Sequence, residues 1–145
     1  MSLLVRYIRV TNSVRLKDKF LTAQVLKIED KCPNHFLFGL VEVNRPWLRA
    51  SQIGQVIINN FQRSYSHNTE NPQIENFENS LKETNQILNQ IYNSGEIDWV
   101  GKLDAAIMLT ENDNVHFTTT GNAKIILSRN TTISTINQEL DTPAT

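Results

Sequence analysis

Residues 114–130, N-V-H-F-T-T-T-G-N-A-K-I-I-L-S-R-N, carry the reading on which the fold class rests. Val115, Phe117 and Thr119 alternate before Gly121-Asn122, and Ile125 and Leu127 alternate after it. A period of two sends successive side chains to opposite faces of a sheet. Gly and Asn both tolerate positive φ, so the stretch is expected to form a β-hairpin turning at Gly121-Asn122.

Downstream, Thr131 to Ile136 adds another strand, and residues 141–145 (D-T-P-A-T) read as a disordered tail after a single domain over 1–140. Upstream, Leu103 to Thr110 (L-D-A-A-I-M-L-T) reads as a strand and Glu111 to Asp113 as a turn. Two helices are expected before it. One opens at Pro72, has Glu75 and Glu78 near its positive end, and stops at Gly95. Its expected core face is Ile74, Phe77, Leu81, Leu88 and Ile91. The other starts at Pro46, a residue suited to the first helical position, and runs to about Tyr65. Leu48, Ile53, Val56, Ile57 and Phe61 form its buried stripe.

The N-terminal part reads as three strands. His35 to Val43 (H-F-L-F-G-L-V-E-V) is a nearly unbroken apolar run, expected to be a central strand buried on both faces. Lys19 to Glu29 admits a strand or a short helix; Phe20, Thr22, Val25 and Ile28 favour the strand. Leu3 to Val10 is the first strand. Three strands, two helices and four strands, in that order, make a layered α+β fold with helices covering one face. A doubly wound fold would need helices between successive strands.

Composition limits the functions. The formal net charge of -1 over 145 residues gives no general attraction to nucleic acid or to an anionic membrane. Arg6 and Arg9 interrupt the first apolar run, which argues against a signal peptide, and no window approaches the ~20 apolar residues of a membrane span. The single Cys32 excludes an intramolecular disulfide and fits a reducing cytoplasm.

Most candidate chemistry has a plain structural alternative. Cys32 and His35 are three apart, but a zinc site needs about four ligands, and His67 and His116 belong to other elements. Cys32 as a nucleophile has no activating neighbour. Arg45, Trp47 and Arg49 gather at a helix start whose amides suit an anion; a solvated helix end with a packed tryptophan explains them better. Glu42 ends a hydrophobic strand just before a helix, a common place for a metal ligand or general base. Asp18 opens the preceding run. If those strands pair, the two acids share a hard divalent cation such as Mg²⁺ or Mn²⁺.

The ordered set of motifs resembles the metal-dependent, PPM-type (type 2C) serine/threonine protein phosphatases, over about the N-terminal half of that family's domain. V-R-L-K-D-K-F (Val14–Phe20) is similar to R-x-x-N-E-D-x-F, and F-G-L-V-E-V-N-R (Phe38–Arg45) to F-x-V-x-D-G-x-G. G-K-L-D-A-A-I-M-L, a turn, then V-H-F-T-T-T-G-N-A-K-I-I-L-S-R-N resembles G-T-T-A-x-x-x-x-I followed by x-v-A-N-x-G-D-S-R-x-x-L-x-R-G. Gly121, Lys124, Leu127 and Arg129 fall in step. The resemblance implies a β-sandwich flanked by helices, with two metal ions at one end activating a water.

The same comparison implies that the chemistry is lost. The phosphate-binding Arg is replaced by Ser13 and the motif's Glu by Lys17, while Asp18 is kept. The metal-bridging Asp becomes Glu42, the following Gly becomes Val43, and the Asp of G-D-S becomes Asn122. Two adjacent divalent ions need several carboxylates. At ~4 Å and an effective dielectric of ~20, a lysine in place of a carboxylate reverses an attraction of about 4 kcal/mol. The expectation is a truncated, non-catalytic phosphatase-like module that self-associates or binds a protein. It needs no cofactor, and Asp18 and Glu42 are its weak metal candidates. The alternatives are an active phosphatase with a site rebuilt on Asp18 and Glu42 and dependent on Mn²⁺ or Mg²⁺, and a small α+β binding domain whose resemblance is accidental.

Overall fold

The computed structural model describes residues 20–28, 35–44, 50–67 and 71–136. The expected strand at Leu3–Val10, Asp18, Cys32 and the helix start around Trp47 lie outside them. The described elements are β1 (Phe20–Lys27), β2 (Phe36–Val43), α1 (Ala50–His67), α2 (Gln73–Asn93), β3 (Leu103–Glu111), β4 (Asn114–Thr120), β5 (Ile126–Arg129) and β6 (Thr132–Thr135). The fold is α+β. One four-stranded antiparallel sheet runs in the order β1-β2-β3-β4, and β5 and β6 form a separate antiparallel pair. No described helix is long and apolar enough to cross a membrane.

The core lies between the sheet and α1. Along β2, Leu37, Val41 and Val43 are buried; along β3, Ala105, Ile107 and Leu109 are. Ile53, Ile57, Ile58, Phe61 and Tyr65 of α1 cover them. Phe61 stacks near Tyr65 and meets the edge of Phe77 from α2 at a centroid distance of 5.2 Å. Two glycines set how closely α1 lies on the sheet. A Cβ added at Gly39 would sit 2.8 Å from Ile58 Cγ1, and one added at Gly54 would sit 2.8 Å from Thr22 Cβ. This close seating explains why Ile58 joins the buried stripe while Val56, expected there, is only half-buried.

Three sequence expectations are corrected. First, the opening hairpin does not form: β4 pairs with β3 through a turn at Asn112-Asp113, where Asn112 has φ 50, and β5 pairs with β6. Gly121 does turn the chain, at φ 65, but Asn122 N–H donates to Asp104 Oδ1 at 2.7 Å. That bond draws the chain across the end of β3 instead of back along β4. Second, β2 is central but buried on one face only. Phe36, Phe38 and Glu42 are half-buried and Leu40 is 39% exposed, because both helices lie on the opposite side.

Third, the buried side of α2 is largely polar: Asn76, Phe77, Ser80 and Thr84. Ser80 Oγ donates to Asn76 O at 2.7 Å and Thr84 Oγ1 to Ser80 O at 2.8 Å, so both hydroxyls are satisfied within the helix. Small side chains let the two helices approach closely. Leu81, Leu88 and Ile91 are left at the margin of the core, and Ile74 is 57% exposed. Pro72 opens α2 as expected, standing as its N-cap at ψ 142. Gly95, at φ 93, ends α2 as expected.

Candidate functional site

Glu42 lies on the face of the sheet away from the helices. The β2–β3 register sets it opposite Asp104. Like charges directly opposite across two strands repel, so each needs compensation. For Asp104 it is visible. Asn44 Nδ2 donates to Oδ2 at 2.6 Å, and Asn122 donates to Oδ1 through its backbone N–H at 2.7 Å and through Nδ2 at 3.4 Å. The carboxylate therefore fastens two chain turns, the one leaving β2 and the one leaving β4. Gly121 is held against it: a Cβ there would lie 2.6 Å from Leu103 O and closer still to Asp104 Oδ1.

Both Asp104 oxygens accept hydrogen bonds, and the Asn44 and Asn122 amides supply the donors. Among the described residues no three of His, Cys, Asp and Glu gather as metal donors. Asp18, the expected partner of Glu42, lies outside the described residues.

A second polar cluster is buried at the other end of the same two strands. His35 precedes the Phe36–Thr110 pair and Glu111 follows it, so both lie at that end of the β2–β3 ladder. They are only 3% and 1% exposed. His35 Nε2 shares a hydrogen bond of 3.2 Å with Tyr65 Oη, and the two rings meet edge to face at 5.6 Å. Asn76 Nδ2 donates to Tyr65 O at 2.9 Å, and Gln73 Nε2 donates to Glu111 Oε1. His35 thus serves the core, in line with a histidine that simply opens a strand. These bonds tie β2, β3, α1 and α2 together. His67, another histidine weighed for metal, donates through Nδ1 to Arg63 O at 2.7 Å on the helix surface, and His116 packs beside Phe77.

Sequence reasoning singled out Glu42 and passed over Asp104, Asn44, Glu111 and Tyr65. Two of these had a signal. Asp104 is the one charge inside L-D-A-A-I-M-L, and Glu111 continues the buried alternation of Ala105, Ile107 and Leu109. The residues that partner them come from distant elements and had none.

The most extensive apolar feature is the outer face of the sheet. Phe36, Phe38 and Leu40 of β2, Ala106 and Met108 of β3, and Val115 and Phe117 of β4 share it through the registers Phe38↔Met108 and Met108↔Phe117. Val115 is 52% exposed and Phe117 36%. The β5–β6 pair also carries exposed apolar side chains, Ile126 at 62% and Ile133 at 73%.

No protein-family model, curated protein or solved structure matches the chain.

Proposed function

We propose that this chain is a non-catalytic binding module, built like the first half of a PPM-type phosphatase-like sandwich, that pairs with a second copy of itself through the outer face of its four-stranded sheet. The observation that supports this reading is the contiguous apolar face centred on Phe38, Leu40 and Phe117. Soluble monomers rarely leave a patch of this kind open. Four strands ~4.8 Å apart, each about eight residues long at ~3.3 Å per residue, give a face of roughly 500 Å². Two such faces stacked at ~10 Å bury on the order of 1,000 Å² together, the lower bound for a specific interface. A second copy offers the same apolar face, so two copies related by a two-fold axis cover both faces without any further partner.

Light scattering after size exclusion, over a concentration series, tests the reading. The wild type is expected to be a dimer. Leu40→Lys and Val115→Lys, at exposed positions that leave the core untouched, are expected to give folded monomers. A wild type that stays monomeric at high concentration overturns the proposal. So does a dimer that persists in both variants.

A further inference from the structure

On the opposite, helix-covered side of the sheet, α2 does not close onto β3 and β4 along its whole length. Its N-terminal half packs, with Phe77 beside His116. Its C-terminal half stands off and leaves a cleft of about 550 Å³. Ile57, Leu81, Leu88, Leu103, Ala105 and Ile107 make the apolar side. Thr84, Asn85 and Asn89 from α2, Thr118 to Thr120 from β4 and the Trp99 ring make the rest of the described lining.

Three properties of this lining define what it can hold. Among the described residues it contains no ionisable side chain, in a chain where 20% of residues are charged. Burying a charge against it would leave that charge unpaired, so the fitting ligand is neutral. Asn85 and Asn89 lie one helical turn apart on the rim, and their carboxamides make no hydrogen bond with another described residue. Each offers a donor and an acceptor side by side, the pattern that matches the amide-like edge of a nitrogen heterocycle. The Trp99 indole is fixed in place by its Nε1–H, which donates to Glu96 O at 2.7 Å. The ring lines the cleft, and an aromatic wall favours a flat aromatic ligand. The volume lies within the range of small-molecule sites, ~300–1,000 Å³.

We infer that the cleft beneath the C-terminal half of α2 is a binding site for a neutral, flat nitrogen heterocycle of free-base or nucleoside size. This goes beyond the self-association reading and uses the other side of the sheet, so either can fail without the other.

The test is calorimetric titration of the intact chain with adenosine, guanosine and uridine, then with the 5′-monophosphate of whichever binds. The same titrations are repeated on Asn85→Ala/Asn89→Ala. Both positions are solvent-exposed, so the melting curve of the double variant is expected to match the wild type. At least one nucleoside is expected to bind saturably, with a Kd below ~1 mM, and the double variant to weaken it by about tenfold or more. Adding the phosphate is expected not to tighten binding. The proposal is overturned by no saturable binding of any nucleoside, by equal binding to the double variant, or by tighter binding of the nucleotide.

Discussion

Replacing Gly54 by alanine sets two physical effects against each other. In an exposed helix the change stabilises by about 1 kcal/mol, because alanine loses less backbone freedom on folding. Gly54, however, is buried where α1 crosses β1 and β2. A Cβ there would lie 2.8 Å from Thr22 Cβ, closer still to Thr22 Oγ1, and 3.5 Å from Val41 Cβ. Carbon atoms rest at ~3.5–4.0 Å, so α1 must withdraw from β1 by about 1 Å. Val41 already stands at contact distance, which leaves no room to slide toward β2. A gap of ~1 Å forfeits a quarter to a half of the dispersion attraction of the atoms it separates, and overpacking of this kind costs ~1–3 kcal/mol. The two short contacts with Thr22 place the cost in the upper half of that range, about 2–3 kcal/mol, so after subtracting the propensity gain Gly54→Ala is expected to destabilise by about 1–2 kcal/mol, or roughly 2–8 °C in Tm. The assay is thermal and urea denaturation of the wild type, Gly54→Ala, Thr22→Gly and the double variant. Thr22→Gly removes both clashing atoms, so the double variant should show a favourable coupling of ~0.5–1 kcal/mol. An unchanged or raised Tm for Gly54→Ala, or strict additivity in the cycle, refutes the close seating of α1.

Gly121→Ala is expected to destabilise by ~1–2 kcal/mol from its left-handed backbone alone, and by more because the methyl meets Leu103 O; a urea midpoint equal to wild type would contradict this. Tyr65→Phe removes the buried bond to His35 and is expected to lower stability by about 1 kcal/mol in the same assay, with no change in the m-value. Asp104→Ala frees the turns after β2 and β4. Amide hydrogen exchange at Asn122 is expected to rise with little change in the helices, and protection that stays at the wild-type level would dismiss the clamp. Titration of Mn²⁺ is expected to give no heat that Glu42→Ala abolishes; a heat lost in that variant would restore the metal reading.

The positions of most elements were legible in the sequence because they follow from local rules. An unbroken apolar run placed β2, alternation placed β4, Pro72 and Gly95 bracketed α2, and the three- and four-residue steps of Ile53, Ile57 and Phe61 placed α1. What pairs with what was less legible. Val115 to Leu127 reads as a hairpin because the residues on both sides of Gly121-Asn122 alternate, yet the outcome is decided by Asp104, which lies far upstream. The burial of β2 was misjudged for a related reason: an apolar run reports its own hydrophobicity and not how many layers lie above it. The candidate site was half legible. Glu42 was found by its place at a strand end, but its opposite number depends on register, and register depends on contacts the local sequence does not contain.

The position of the helix pair within the sheet has a kinetic consequence. β3 and β4 are joined by a two-residue turn, and α1 and α2 touch through neighbouring chain, so each unit can form early. The two central strands, β2 and β3, are separated by everything from Asn44 to Lys102, roughly 60 residues. The short link between β1 and β2 is about three doublings shorter, so closing the central pair costs about 2 kcal/mol more chain entropy. Formation of the β2–β3 ladder is therefore expected to be the slow step, with collapse of α1 onto α2 shortening the effective loop beforehand. Until that ladder closes, the β1–β2 pair leaves open the edge of β2 that β3 will cover. This interval is when the chain is most prone to aggregate, and slow release from synthesis or a chaperone would protect it most.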